Sequence, residues 1–302
     1  MKTLLTKTRL SSAILAALVA VLLAVTGCKD NDSYKGNADS IVGSMVKDGY
    51  ARMPQQGFEL ICIQDMPMQQ NKEIFKGTND ALLDSIFPLD KAENSVNVFL
   101  VANEMNYILF DAGLGEEKGG TLREKLSKLQ VHPEDITAVI ITHFHPHHIG
   151  GMVFNDDPAF PNADVYANVA EYNGWVNSTQ QSHSQQVLEM LACYANRLHL
   201  FQDGDTLIDA KGDGSLPIVA HNAAGHTLGH TVFEVGDVLI TGDLIHTRHL
   251  QHSDPNSHYD LDSTLSDTAR KYWLQYARDH NKILAGMHLP LPGVLDYQQS
   301  EE

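Results

Sequence analysis

Apolar runs of four to eight residues recur along this chain, each bounded by turn-forming residues, and most read as strands. They predict strands at 58–64, 96–101, 106–110, 136–142, 164–167, 217–220, 231–235, 237–241 and 282–287. Three segments change to helical spacing. Residues 121–130 put Leu122, Leu126 and Leu129 on one face, and residues 182–197 do so with Val187, Leu188, Leu191 and Tyr194. Residues 263–279 align Leu265, Ala269, Trp273 and Tyr276, with Asp262 placed to cap the helix. These stripes are read as core. Strands outnumber helices and do not alternate strictly with them, which disfavours a doubly wound nucleotide-binding sheet. A layered α/β arrangement, sheets inside and helices outside, accommodates the order.

The two ends of the pattern differ from the middle. Lys2, Lys7 and Arg9 precede an apolar stretch from Ile14 to Val25, which stops at Val25-Thr26-Gly27-Cys28. That layout predicts a secretory signal over 1–27. Its small residues before a cysteine resemble the bacterial lipobox, implying lipidation of Cys28. Residues 28–40, polar and small, then read as a lipidated cysteine and flexible tether, and 41–302 as the globular domain. The expected location is the bacterial cell envelope, membrane-anchored through lipid.

Removing the signal takes three basic residues and no acidic one, so the net charge goes from −17 to −20. Such a surface is a poor partner for nucleic acid or anionic headgroups. Two cysteines remain, Cys62 in a strand and Cys193 in a helix, and they read as separate buried thiols. Neither a phosphate-binding glycine loop nor Gly-x-Ser-x-Gly is present.

The chemistry gathers in histidines. Val139-Ile140-Ile141-Thr142-His143-Phe144-His145-Pro146-His147-His148-Ile149-Gly150-Gly151 is a strand that runs into a histidine-rich loop. His143 and His145, two apart in extended backbone, present imidazoles to one side, half of an ordinary zinc site. His148 can turn toward a second ion, and Gly150 and Gly151 are expected to let the loop turn tightly. Downstream, Gly225-His226-Thr227-Leu228-Gly229-His230, Thr241-Gly242-Asp243 and Gly286-Met287-His288-Leu289-Pro290 each follow or flank an apolar run.

In this order the motifs resemble the metallo-β-lactamase superfamily, and FDAGLG at 110–115 resembles its early Asp-Gly turn. FPNADVY at 160–166 and HLPLPG at 288–293 are similar to methyl parathion hydrolase-like members, with acyl-homoserine lactonases a neighbouring likeness. The resemblance implies a four-layer αβ/βα fold, two central β-sheets flanked by helices. It implies two divalent ions, zinc being the expected one, with Fe, Mn or Ni also compatible. His143, His145 and His226 would hold the first ion, His148 and His288 the second, and Asp243 would bridge them as the catalytic carboxylate. His147 stands where the family has an aspartate on the second ion. Asp111 and His230 would be supporting residues. The implied activity is hydrolysis of a small-molecule ester, lactone or phosphotriester. A β-lactamase, or a metal-binding envelope protein with little turnover, are the alternatives. His132, His183, His199 and His280 read as surface or capping residues. So do His249, His252 and His258 as solvated loop residues, with His246 left open as a lining residue of the pocket mouth.

Overall fold

Side-chain alternation sorts the strands into layers. The computed structural model describes residues 46–76, 81, 83, 84, 87, 89–177, 184–208, 217–248 and 256–296. The signal, Cys28 and tether regions, along with His183, His249 and His252, lie outside these. The first sheet holds β1 (Val46–Lys47), β2 (Tyr50–Gln55), β3 (Phe58–Asn71), β4 (Lys91–Ala102), β5 (Tyr107–Phe110), β6 (Ile136–Ile140), β7 (Asp164–Asn168) and β8 (Leu198–Phe201), adjacent in chain order. The pairs among β5, β6, β7 and β8 are parallel and the earlier ones antiparallel. The second sheet holds β9 (Thr206–Ile208), β10 (Ile218–Asn222), β11 (Thr231–Val235), β12 (Val238–Ile240), β13 (Ile283–Ala285) and β14 (Val294–Asp296). Only β12 and β13 pair parallel there.

Leu60, Cys62, Phe99, Val101 and Phe110 point from the first sheet into a shared core with Ala220, Phe233, Val235, Ile240 and Ala285 of the second. Their neighbours Ile61, Ile63, Val98, Leu100 and Leu109 face the other way. They pack with Leu122 and Leu126 of α1 (Leu122–Lys128) and Val187 and Met190 of α4 (Ser184–Cys193). On the far side Val232, Leu239 and Leu284 pack against Trp273 and Leu274 of α5 (Ser263–Asp279). The period of two thus puts each sheet between two apolar layers, which is why the strands read as nearly unbroken apolar runs. This is the four-layer fold expected.

Several details differ from expectation. Leu188 and Leu265 are exposed, and Met190 and Leu274 take their places in the core. Strand β2 was not foreseen: Pro54 and few apolar residues hide it, and it tolerates proline near the sheet's rim. Helix α3 (Val169–Val176) was hidden by Asn173 and Gly174, and begins where the Asn168 side chain accepts from Ala170 N at 2.7 Å. Asp262 caps α5 as expected, accepting from Thr264 N and Leu265 N. Cys62 and Cys193 are both free, but only Cys62 is fully buried. No helix among the described residues is long and apolar enough to cross a membrane.

The sheets converge their C-terminal strand ends on one edge. Asp111 follows β5, the loop 141–145 follows β6, His226 follows β10, Asp243 follows β12 and His288 follows β13. Parallel pairing of Phe110 with Ile140 sets the Asp111 turn directly beside the histidine loop.

Candidate metal centre

Three stretches of chain deliver imidazoles to one buried point, and a fourth delivers Asp243. His143 and His145 leave β6 in extended backbone, and Pro146 then starts the single turn α2 (Pro146–Ile149) that carries His147 and His148. Gly150 is not in a left-handed conformation (φ −60°). The glycine pair serves close approach instead: a Cβ on Gly150 would lie 2.0 Å from Leu114 O, and one on Gly151 2.2 Å from Ala112 O. That corrects the expectation of a tight glycine turn.

Asp243 is at the centre. Around its carboxylate lie His148 Nε2 at 3.0 Å, His226 Nε2 and His288 Nε2 each at 3.2 Å, His147 Nε2 at 3.4 Å, and His143 Nε2 at 3.7 Å. His145 Nδ1 lies 3.0 Å from His143 Nε2 and 2.9 Å from His226 Nε2. Two groups of potential ligands result, His143, His145, His226 and Asp243, and His147, His148, Asp243 and His288. Every residue expected to bind an ion is therefore in one of them, including His147.

The outer nitrogens explain the orientation. His288 Nδ1 meets Ser95 O at 2.8 Å, and a carbonyl only accepts, so the proton is on Nδ1 and Nε2 points inward as a lone pair. His148 Nδ1 donates to Asp111 Oδ2 at 2.6 Å and His226 Nδ1 to Asp260 Oδ1 at 2.9 Å. Thr142 Oγ1 donates to Asp111 Oδ2 at 2.8 Å, which leaves it to accept from His143 Nδ1 at 3.1 Å. Such outer acceptors fix the tautomer of a ligating imidazole.

The inner nitrogens then confront each other as acceptors, and lone pairs this close need something positive between them. His148 Nε2 and Asp243 Oδ1 stand 3.0 Å apart; unless the ring takes a second proton, neither has a hydrogen-bond partner. Buried polar atoms seldom go unpaired, so the arrangement fits cations shared among these residues. Charge agrees. Burial favours the neutral acid of Asp243, but His288, His148 and His143 outweigh it and hold its pKa well below the usual carboxylate range. Burial lowers the His148 pKa, but Asp243 and Asp111 overcome it and raise it to about 10. His226 rises to about 8 in the same way, burial being outweighed by hydrogen bonds to Asp243 and Asp260. Protons on these two rings take the place that cations would have, and cation binding would release them.

The supporting residues have definite partners. Asp111 is buried and left-handed (φ 63°), and ties Thr142 N as well as His148, so it both forms the turn and orients a ring. His230 donates from Nδ1 to Ala223 O at 3.0 Å and accepts Asp243 N on Nε2 at 3.0 Å, holding the carboxylate's backbone without reaching the cluster. Two contributors, Asp260 and Asn97, have no counterpart among the residues singled out in the sequence, and a third, His246, is the lining residue left open there. Asp260 orients His226. Asn97 donates to Gly286 O and Leu289 O, at 3.0 and 2.7 Å, and so fixes the His288 loop. His246 is buried and stacks on His288 with rings 5.1 Å apart, its Nε2 3.7 Å from Asp243 Oδ2 and without a hydrogen-bond partner. His258, His132, His199 and His280 are exposed, as expected.

Beside His145 and His226 opens a cavity of about 160 Å³, walled by Trp175, Thr227, Leu228, Tyr259 and Leu261. Leu228, Tyr259 and Leu261 are each more than half exposed at its rim.

A four-layer fold with a histidine–aspartate centre at its strand ends defines a metal-site protein of the αβ/βα class. The metallo-beta-lactamase superfamily model matches residues 92–288, and the chain belongs to that superfamily. Among solved structures it is similar to the hydrolase AbOPH of the beta-lactamase superfamily, at 24% identity and TM-score 0.72, covering 83% of this chain and 94% of that one. It is also similar to AidC, a dizinc quorum-quenching lactonase solved with N-hexanoyl-homoserine product, at 25% identity and TM-score 0.72, covering 82% and 93%. A probable metal-dependent hydrolase from Staphylococcus aureus aligns at 16% identity and TM-score 0.69, covering 83% and 96%. No curated protein sequence matches.

Proposed function

We propose that this chain is a hydrolase of neutral esters, lactones or phosphotriesters that uses two divalent ions, zinc by preference. The observation that carries the reading is Asp243: a buried, ionised carboxylate that the fold's own donors leave open at one oxygen, facing imidazole nitrogens from three stretches of chain. His143, His145 and His226 would hold one ion, His147, His148 and His288 the other, with Asp243 between them. Bound divalent ions supply Lewis acidity, acidifying water and polarising a carbonyl or phosphoryl oxygen. Imidazole-rich donors suit zinc and also iron or nickel.

The protein's own residues do the rest. Asp111, Asp260 and Ser95 O fix three rings so that no reorientation is needed when substrate arrives. Trp175, Leu228, Tyr259 and Leu261 offer apolar surface to a substrate arm and exclude water beside the ions. No Lys or Arg is among the described residues of that wall. A substrate arm lying against that wall meets no side-chain cation, which favours an uncharged arm. The product-bound lactonase AidC, of the same fold, supports this substrate class.

Screening the purified protein against lactones, aryl esters, phosphotriesters and β-lactams tests the proposal. Hydrolysis within the first three classes, lost to a chelator and restored by zinc, is expected. Turnover of β-lactams alone would move the reading to a lactamase, and no turnover with both ions bound to a metal-binding envelope protein. We also propose, on residues 1–40, a signal of 1–27 and lipidation of Cys28 in the cell envelope. Acyl chains found on Cys28 by mass spectrometry would support it, and an unmodified Cys28 would refute it.

A further inference from the structure

We propose that Glu171 is a positioning residue for the first ion's ligands: one buried carboxylate that sets the separation of two ligand-bearing loops. The inference rests on the metal centre proposed above. Glu171 lies on α3 and is 1% exposed. Its Oε1 accepts Phe144 N at 2.8 Å, and Phe144 is the residue between His143 and His145. Its Oε2 accepts Gly229 N at 2.9 Å, in the loop that runs from His226 to His230. Oε1 also accepts Trp175 Nε1 at 2.7 Å, from the indole that walls the cavity and stands edge-on to His145.

All three partners are obligate donors and a carboxylate is an acceptor only, so the group suits the place in a way that an amide does not. The two loops have no reason in their own sequences to sit at one spacing. They belong to different sheets, and His145 Nδ1 must come to 2.9 Å from His226 Nε2 for the two to share an ion. Glu171 spans that gap. The contact is close enough to dictate residue type on the far side: a Cβ on Gly229 would lie 2.3 Å from Glu171 N. Helix α3 thereby links the ligand spacing to the cavity wall, since Glu171 and Trp175 are one turn apart.

The test is zinc binding to the metal-free protein by chelator competition, resolving the two sites, with cobalt spectra as a signature of coordination. In Glu171→Gln the amide nitrogen faces an N–H, one loop loses its anchor, and the first site weakens by about 10–100-fold while the second holds. A merely structural role would lower the melting temperature and leave the ratio of the two constants unchanged. Glu171→Asp keeps the charge but is one methylene short of spanning both loops, and serves if the glutamine variant fails to fold; the same selective loss is expected. Trp175→Phe removes the indole donor and trims the wall but leaves both loop contacts of Glu171 in place, so any change in the two constants should be smaller than in either Glu171 variant, and an equal selective loss would overturn the assignment to Glu171. Wild-type ratios in both Glu171 variants would overturn the proposal and leave the metal centre standing. A wild-type protein that takes up no zinc would overturn both.

Discussion

Asp65 and Asp243 are both aspartates with essentially no exposed surface, and they do opposite things. Asp65 accepts Leu114 N at 2.8 Å, Thr121 N at 2.6 Å and Leu122 N at 2.7 Å. Its charge is spent on the protein's own donors, capping α1 from a distance and pinning the turn that follows Asp111. Asp243 has no donor of the fold's own aimed at Oδ1, only the inner nitrogens of imidazoles whose outer nitrogens are tied to Asp111, Asp260 and Ser95 O. Burial is common to both, so burial does not mark a site. What separates them is whether the fold itself satisfies the charge.

That contrast can be broken experimentally. The largest effect is expected at Asp243→Ala, which should remove hydrolysis and at least one ion per chain while the protein stays folded, read by elemental analysis and circular dichroism. Asp65→Ala should do the reverse. Orphaning three backbone donors costs about 3–5 kcal/mol of stability in urea denaturation, with ion content per folded chain unchanged. If Asp65→Ala lost ions selectively, the division between the two carboxylates would be wrong.

His147→Asp sharpens the same contrast by adding a second unsatisfied carboxylate at a position only 27% exposed. Affinity at the second site should rise by about tenfold, as carboxylate attraction replaces a neutral ring. Unchanged affinity in a zinc titration would show that His147 does not reach the ion.

The smallest effect concerns a carboxylate between the two extremes. Burial pushes the Glu234 pKa up, but an ion pair to Lys282 at 2.7 Å and hydrogen bonds from His221 and Tyr276 outweigh it and hold it below the ordinary 4.5. A folded-state pKa below the unfolded one gives stability that is present above the unfolded value and lost as pH falls through the folded one. Partial exposure limits it to about 1 kcal/mol or less. Glu234→Gln should therefore be slightly less stable than wild type at pH 7, and the gap should close below pH 4.5 in a series of urea titrations. A gap that widened in acid would reverse the sign argued here.

The layers and the candidate ligands were legible because both are local patterns. A strand between two apolar layers shows as an apolar run, and His-x-His after such a run shows as converging imidazoles. The partners that make the ligands work were not legible, because they are distant in the chain. Asp111 lies 37 residues from His148, Asp260 lies 34 from His226, and Ser95 lies 193 from His288. No periodicity encodes such pairs, so only Asp111, which sits in a recognisable Asp-Ala-Gly turn, could be singled out. Glu171 was hidden twice, in a helix with no clear apolar stripe and by contacts to two loops at once. His246 is left open in the sequence as a lining residue, and its burial against His288 decides the matter where His258 is exposed.

The central claim is that Asp243 is left unsatisfied so that two cations can complete it. The most direct test is to strip the purified protein of metal, titrate it with zinc and count ions per chain in wild type and Asp243→Ala. About two tightly held ions in the wild type, and a clear loss in the variant, is the outcome expected of a shared carboxylate. Equal zinc binding by both proteins, or none by the wild type, would contradict it.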